Sequence, residues 1–181
     1  SSIVDDYQLF YVDLWGVVHN GVHLHKEAIR ALKEITKKNK DYILLTNAPR
    51  PNYAVKSFLE KLGMEKNIRE HVFTSGEAAL NYLKKSLSEK NFFHVGPPRD
   101  FDLFKDFENR KIESVENCDY ILCTGLLDDH NDDLKFYKDL FENSLKKKMI
   151  CTNPDLIVDR ANKRELCAGS VAMVFEKMGG E

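Results

Sequence analysis

Asp13 closes an apolar run, "QLFYVD", and the chain then breaks through Gly16, Asn20 and Gly21. A buried strand that gives way to turn-forming residues delivers its last carboxylate to a loop. A second apolar run, "DYILLT", ends on the hydroxyl of Thr46 and is followed by Asn47, Ala48 and Pro49. A carboxylate on such a rim can attack phosphorus and form an aspartyl phosphate that water later resolves, provided a cation and hydrogen-bond donors neutralise the phosphoryl oxygens. In that chemistry Asp13 is the nucleophile, Thr46 supplies a hydroxyl, and the backbone N–H groups of Asn47 and Ala48 complete an anion cradle. Mg²⁺ suits the task because it takes hard oxygen ligands and keeps waters beside a substrate phosphate. The Asp13 carboxylate and the main-chain carbonyl of Trp15 are its candidate ligands.

The two rims belong together only if the strands are neighbours. Strand-like and helix-like patterns alternate from end to end, which argues for a largely parallel sheet with crossover helices. After "QLFYVD", the segment "KEAIRALKEITKKN" carries Ala28, Ile29, Leu32 and Ile35 at helical spacing and leads into "DYILLTN". "YAVKSFLEKLG" reads as a helix stopped at Gly63, and "HVFTSGEAALNYLKKSL" repeats the strand, turn and helix plan. A right-handed crossover places the first two strands parallel and close, so their carboxyl ends open on one edge, where open α/β sheets bind ligands. A second series follows: "NFFHVG", "CDYILCTG", the helix "DDLKFYKDLFENSLKK", "KMICTNPD" and a final helix, "ELCAGSVAMVFEKMGG". The reading is two α/β units, residues 1–80 and 81–181.

Of 181 residues, 43% are hydrophobic and 31% charged, enough for a packed core. A net charge of −2 gives no broad attraction to nucleic acid or to an anionic membrane surface. No apolar run approaches the roughly 20 residues that span a bilayer, and "SSIVDDYQ" lacks the charged and apolar regions of a secretion signal, so a cytoplasmic location is expected. Cys118, Cys123, Cys151 and Cys167 never form C-x-x-C and read as buried free thiols.

Asp13 with "GVVHNG", then "LLTNAPRP", "FHVGPPRD", "CTGLLDD", "TNPDLIVDR" and "CAGSVAMVFEKMGGE", resembles the class IIA haloacid dehalogenase-like (HAD) hydrolases, in particular a bacterial subgroup whose first motif has the form D-x-W-G-V-x-H-x-G. The likeness runs in order over essentially the whole chain. It implies a Rossmannoid parallel-sheet core, incomplete here, with an inserted α/β cap. It also implies a Mg²⁺-dependent phosphatase or phosphotransferase acting on a small phosphorylated metabolite, with Asp13 as nucleophile and metal ligand and Thr46 as phosphate ligand. The "TNPD" stretch matches a cap loop, which makes Asn153, Asp155 and Arg160 candidate substrate contacts and leaves room for a homodimer through the cap. Relatives continue beyond the position of Glu181 into a strand, a G-K-P lysine and an acidic motif. The C-terminal part of the core is therefore expected beyond 181, and the segment alone is expected to be inactive.

One departure matters. The superfamily pattern is D-x-D, whose second acid protonates the leaving group and then activates water; Trp15 does neither, since its only polar group is a donor N–H. Aryl and acyl phosphates, whose leaving groups need little protonation, are the substrates that tolerate this. The alternative is a catalytically impaired relative that binds a phosphorylated ligand. A dinucleotide-binding oxidoreductase fails because no G-x-G-x-x-G opens the first helix. Other features read more simply. Trp15 reads as apolar packing rather than a stacking platform for an aromatic substrate, His19 as a solvated loop histidine rather than a substitute acid titrating near neutrality, Asp132 as an acid opening a helix, and Lys146 to Lys148 as a solvated helix end.

Overall fold

The computed structural model describes residues 3–160 and 163–181, with the side chain of Arg160 excepted. The chain divides into two compact units: residues 1–46 with 51–74, and residues 47–50 with 75–181. The expected boundary at residues 80 and 81 falls inside a helix.

In the first unit, α1 (Ile3–Asp6) precedes β1 (Leu9–Asp13), α2 (Lys26–Lys37), β2 (Asp41–Thr46), α3 (Asn52–Lys61), α4 (Lys66–Arg69) and β3 (Val72–Thr74). The strands form one parallel sheet in the order β1-β2-β3. The periodicity of α2 is realised as a stripe that buries Leu32 and Ile35, and α3 buries Val55 and Leu59. Tyr42, Leu44 and Val72 alternate onto the buried side of the sheet, while Tyr11, Leu45 and Phe73 remain exposed on the other. Helix α3 stops as its sequence predicts: Gly63 takes φ +88°, the left-handed conformation that closes a helix end without a Cβ penalty.

The second unit opens with α5 (Ser75–Ser86), which contains the expected boundary. It continues through β4 (Phe92–Val95), two 3₁₀ segments (Pro98–Leu103 and Lys105–Arg110), β5 (Tyr120–Cys123), α6 (Leu134–Phe141), β6 (Lys148–Cys151), β7 (Ile157–Arg160), β8 (Lys163–Leu166) and α7 (Ala168–Lys177). Its sheet is parallel, β4-β5-β6, and all four residues of β5 are buried, because a central parallel strand is covered on both faces. Phe92, Tyr120 and Leu122 pack on one side with Leu80, Leu83, Leu103 and Phe104. Val95, Ile121, Cys123 and Met149 pack on the other with Tyr137, Phe141, Val171 and Phe175.

Three local expectations are corrected. Helix α6 ends at Phe141, well short of the lysine run, because the backbone turns there through Ser144 N–H to Phe141 C=O (2.8 Å). Lys148 therefore starts a strand and pairs with Glu181 at 3.0 Å. The sequence does not announce the antiparallel β7–β8 pair; in register, Val158 faces Glu165 and Asp159 faces Arg164, so charged residues dilute the apolar alternation that marks a strand. Asp133 rather than Asp132 caps α6, accepting from the N–H groups of Lys135 and Phe136 at 3.1 Å each.

Candidate active site

Parallel pairing sets Asp13 opposite Leu45, so Asp13 and Thr46, the last residues of β1 and β2, stand at the same carboxyl rim of the first sheet. Asp13 is exposed and Thr46 half-buried. The turn beyond Asp13 is built on Leu14, which is buried and whose carbonyl accepts from Val18 N–H (2.9 Å) and His19 N–H (3.1 Å). Gly16 N–H returns to the His19 carbonyl at 2.8 Å, and Gly16 takes φ +75° to allow it. The described bonds of this turn run to the carbonyls of Leu14 and His19 and leave that of Trp15 out.

Trp15 packs within its own loop. Its ring lies edge-on to His19 (centroids 5.5 Å apart) and so close to Gly21 that a Cβ there would fall 2.8 Å from the indole. Gly21 also has φ +88°, so the position demands glycine twice over. His19 is not a solvated loop residue: it is 5% exposed, and its Nδ1 accepts from Gly21 N–H at 3.0 Å. Burial, with a smaller contribution from His25, holds its pKa below the ordinary histidine value against the opposing pull of Asp13. His19 thus braces the turn that carries Trp15.

The remaining sequence candidates lie in the second unit. Asn47 donates through its side-chain amide to Asp155 (3.0 Å) across 108 residues of sequence. Asn153 Oδ1 accepts from Asp155 N–H (3.0 Å), and Gly169 N–H donates to the Asp155 carbonyl (3.1 Å). Asn47, Asn153 and Asp155 therefore form one connected group, whereas Arg160 is known only as the end of β7, beside Lys163. The Ala48 carbonyl accepts from Gly76 N–H (3.1 Å) and from Ser75 Oγ (3.2 Å).

Several positioning residues escaped the sequence reading. Ser75 Oγ also reaches the Thr152 carbonyl (2.5 Å), and Ser170 Oγ donates to the Leu156 carbonyl (2.6 Å), so the 152–156 loop is held from two helices. The "TSG" that opens α5 was the available signal, since Ser at a strand-to-helix junction commonly bonds nearby backbone. Arg50 approaches the buried Asp100 (3.5 Å). Burial raises the Asp100 pKa, while Arg50 and Thr124 pull it back. Buried His94 shares a 2.8 Å hydrogen bond with Thr124, and burial pushes its pKa down to about 4.

The donors at the first rim fit Mg²⁺: a carboxylate at Asp13 and a carbonyl at Trp15 are hard oxygens. Magnesium is commonly held by one or two carboxylates with waters and substrate phosphate. Among the described residues no group of three or more His, Cys, Asp or Glu could hold a metal ion.

A profile of the haloacid dehalogenase-like hydrolase family matches residues 10–109. Among solved structures, a haloacid dehalogenase-like hydrolase from Brucella suis is 30% identical, with a TM-score of 0.87 over 99% of this chain and 69% of that one. A 4-nitrophenylphosphatase from Thermotoga maritima is 22% identical with a TM-score of 0.68, covering 98% of this chain and 67% of the other. A glycerol phosphate phosphatase from Mycobacterium tuberculosis, in complex with magnesium, is 20% identical with a TM-score of 0.67, covering 99% and 54%. Comparison with curated protein sequences gives no match. The chain belongs to the haloacid dehalogenase-like hydrolases, class IIA, and its parallel α/β units have the fold of that family.

Proposed function

We propose that this hydrolase is a Mg²⁺-dependent phosphatase or phosphotransferase for a small phosphorylated metabolite, with the first unit as part of the catalytic core and the second as its cap. The observation that carries the reading is the parallel register that sets Asp13 and Thr46 at one sheet rim. Asp13 attacks phosphorus, the leaving group departs with the electron pair of the P–O bond, and water then hydrolyses the aspartyl phosphate. Thr46 donates its hydroxyl to a phosphoryl oxygen, and Asn47 and Ala48 contribute backbone N–H groups. Asp13 and the Trp15 carbonyl would hold the metal, whose charge would neutralise the phosphoryl oxygens. Asn153, Asp155 and Arg160 are assigned to substrate selection.

Trp15 limits the substrates. Its indole neither gives nor takes a proton at neutral pH, so aryl and acyl phosphates turn over more readily than alkyl esters. The names of the Thermotoga and Mycobacterium structures support a phosphate ester as probe, and the magnesium in the latter supports the metal. The test is p-nitrophenyl phosphate hydrolysis by the full-length protein with Mg²⁺, beside Asp13→Asn. Loss of turnover in the variant is expected; equal rates would overturn the nucleophile. Thermal stabilisation by phosphorylated ligands with no turnover of any activated phosphate would favour the binding-protein alternative.

A further inference from the structure

The second unit carries a pair of thiols that the chemistry above does not use. Cys123 ends β5 and Cys151 ends β6, and they are register partners on adjacent parallel strands. Their side chains therefore leave the same face of the sheet. Neighbouring strands run about 4.8 Å apart, inside the Cα separation of about 4.4–6.8 Å that a disulfide spans. Each thiol donates to nearby backbone: Cys123 Sγ to the Gly125 and Ala168 carbonyls (3.7 and 3.8 Å), Cys151 Sγ to the Asn153 carbonyl (3.2 Å). Their surroundings differ: Cys123 is 0% exposed, whereas Cys151 is half-buried and lines an open groove of about 560 Å³ with Met149, Pro154, Leu156, Gly169 and Met173.

We infer that Cys123 and Cys151 are a site of reversible oxidation by hydroperoxides, with Cys151 the thiol attacked from the groove and Cys123 the resolving thiol. The Cys151 thiolate attacks the terminal peroxide oxygen, the O–O bond breaks as the sulfenic acid forms, and hydroxide (alkoxide from an organic hydroperoxide) leaves and is protonated to water (or alcohol). The Cys123 sulfur then attacks the Cys151 sulfur. The S–S bond forms as the S–OH bond breaks, and the thiol proton leaves with that hydroxyl as a second water. The two thiols lose two electrons and the peroxide gains them.

The division of roles follows from access: Cys151 lines the groove, whereas Cys123 is fully buried behind it. The neighbouring Cys123 thiol holds Cys151 below the ordinary thiol range, and Cys151 together with burial pushes Cys123 well above it. The thiolate is the form that attacks peroxide. The bond also has a local consequence. Cys151 donates to the Asn153 carbonyl (3.2 Å), and moving its sulfur to Cys123 removes that tie from the loop containing Asn153 and Asp155.

The proposal is independent of the phosphate reading. Its test is to treat the full-length protein with hydrogen peroxide, alkylate the remaining thiols, and map the cysteine peptides. Expected are a Cys123–Cys151 linked pair that dithiothreitol reverses and faster amide exchange at Asp155. Cys123→Ala should leave a dimedone-trappable sulfenic acid at Cys151, and Cys151→Ser should leave Cys123 reduced. A persistent Cys151 sulfenic acid in the wild type without a linked pair would overturn the inference. So would a link through Cys118 or Cys167, or oxidation seen only in denaturant. The wild-type map decides even if a variant fails to fold.

Discussion

Trp15 is the residue at which this site departs most from the family pattern, and its packing makes the departure testable. The indole leans on His19 and on the Cα of Gly21, so a smaller acid in its place loses packing but puts a proton donor and acceptor two residues from Asp13, the proposed nucleophile. If protonation of the leaving group limits turnover, Trp15→Asp should raise kcat on alkyl phosphates by about 10²- to 10⁴-fold, with a much smaller gain on p-nitrophenyl phosphate. Equal gains on both substrates would mean that the acid acts elsewhere. His94 offers a second test at this scale. It is held neutral by burial, with a folded pKa of about 4 against 6.5 for the free side chain. The unfolded chain therefore takes up the proton first: stability is intact above about pH 6.5 and is lost as pH falls toward 4. The loss is on the order of 3 kcal/mol. His94→Gln keeps a partner for Thr124 but cannot titrate, so urea unfolding at pH 7 and 4.5 should show a flatter decline than in the wild type.

Helix α7 and the loop it supports show how an element places Asn153 and Asp155, the residues proposed to select substrate. A Cβ on Gly169 would overlap the carbonyl oxygens of Pro154 and Asp155, because the first turn of the helix is pressed onto that loop. Gly169→Ala should therefore destabilise the protein by about 1–3 kcal/mol, read from the denaturant midpoint. It should also raise KM more than it lowers kcat if Asp155 selects substrate. An unchanged midpoint would show that the loop yields freely. Helix α6 teaches a related lesson. Its start was legible to within a residue, Asp133 rather than Asp132 being the cap, but its end was not. The lysines that look like a helix terminus belong to a turn and to β6, where strand pairing outweighs local propensity.

At the scale of the molecule, stability rests on buried apolar side chains rather than on charge. Ion pairs such as Arg30–Glu27, Lys84–Asp106 and Arg164–Asp159 join side chains more than half exposed, where each contributes about 0–1 kcal/mol. Raising NaCl from about 0.05 to 0.5 M, which cuts the screening length severalfold, should move the Tm by only a few degrees. A large fall would show that these charges act as a network. The first unit also leaves Tyr11, Leu45 and Phe73 exposed on one face of its sheet, a feature of this structure that alternation in the sequence does not reveal. Parallel strands covered on both faces and strands open on one can read alike as short apolar runs.

Local sequence alone sets the alternation of strand and helix, the delivery of Asp13 and Thr46 to strand ends and the glycine stop at Gly63. Each of these is written in neighbouring residues, through periodicity, turn chemistry and capping. Tertiary structure alone decided that His19 is buried, that Asn47 meets Asp155, that His94 meets Thr124, and that Cys123 and Cys151 lie side by side. Those pairings join residues far apart in the chain. They depend on which strands pair and in what register, and that choice is made by the packing of the whole sheet rather than by any local pattern.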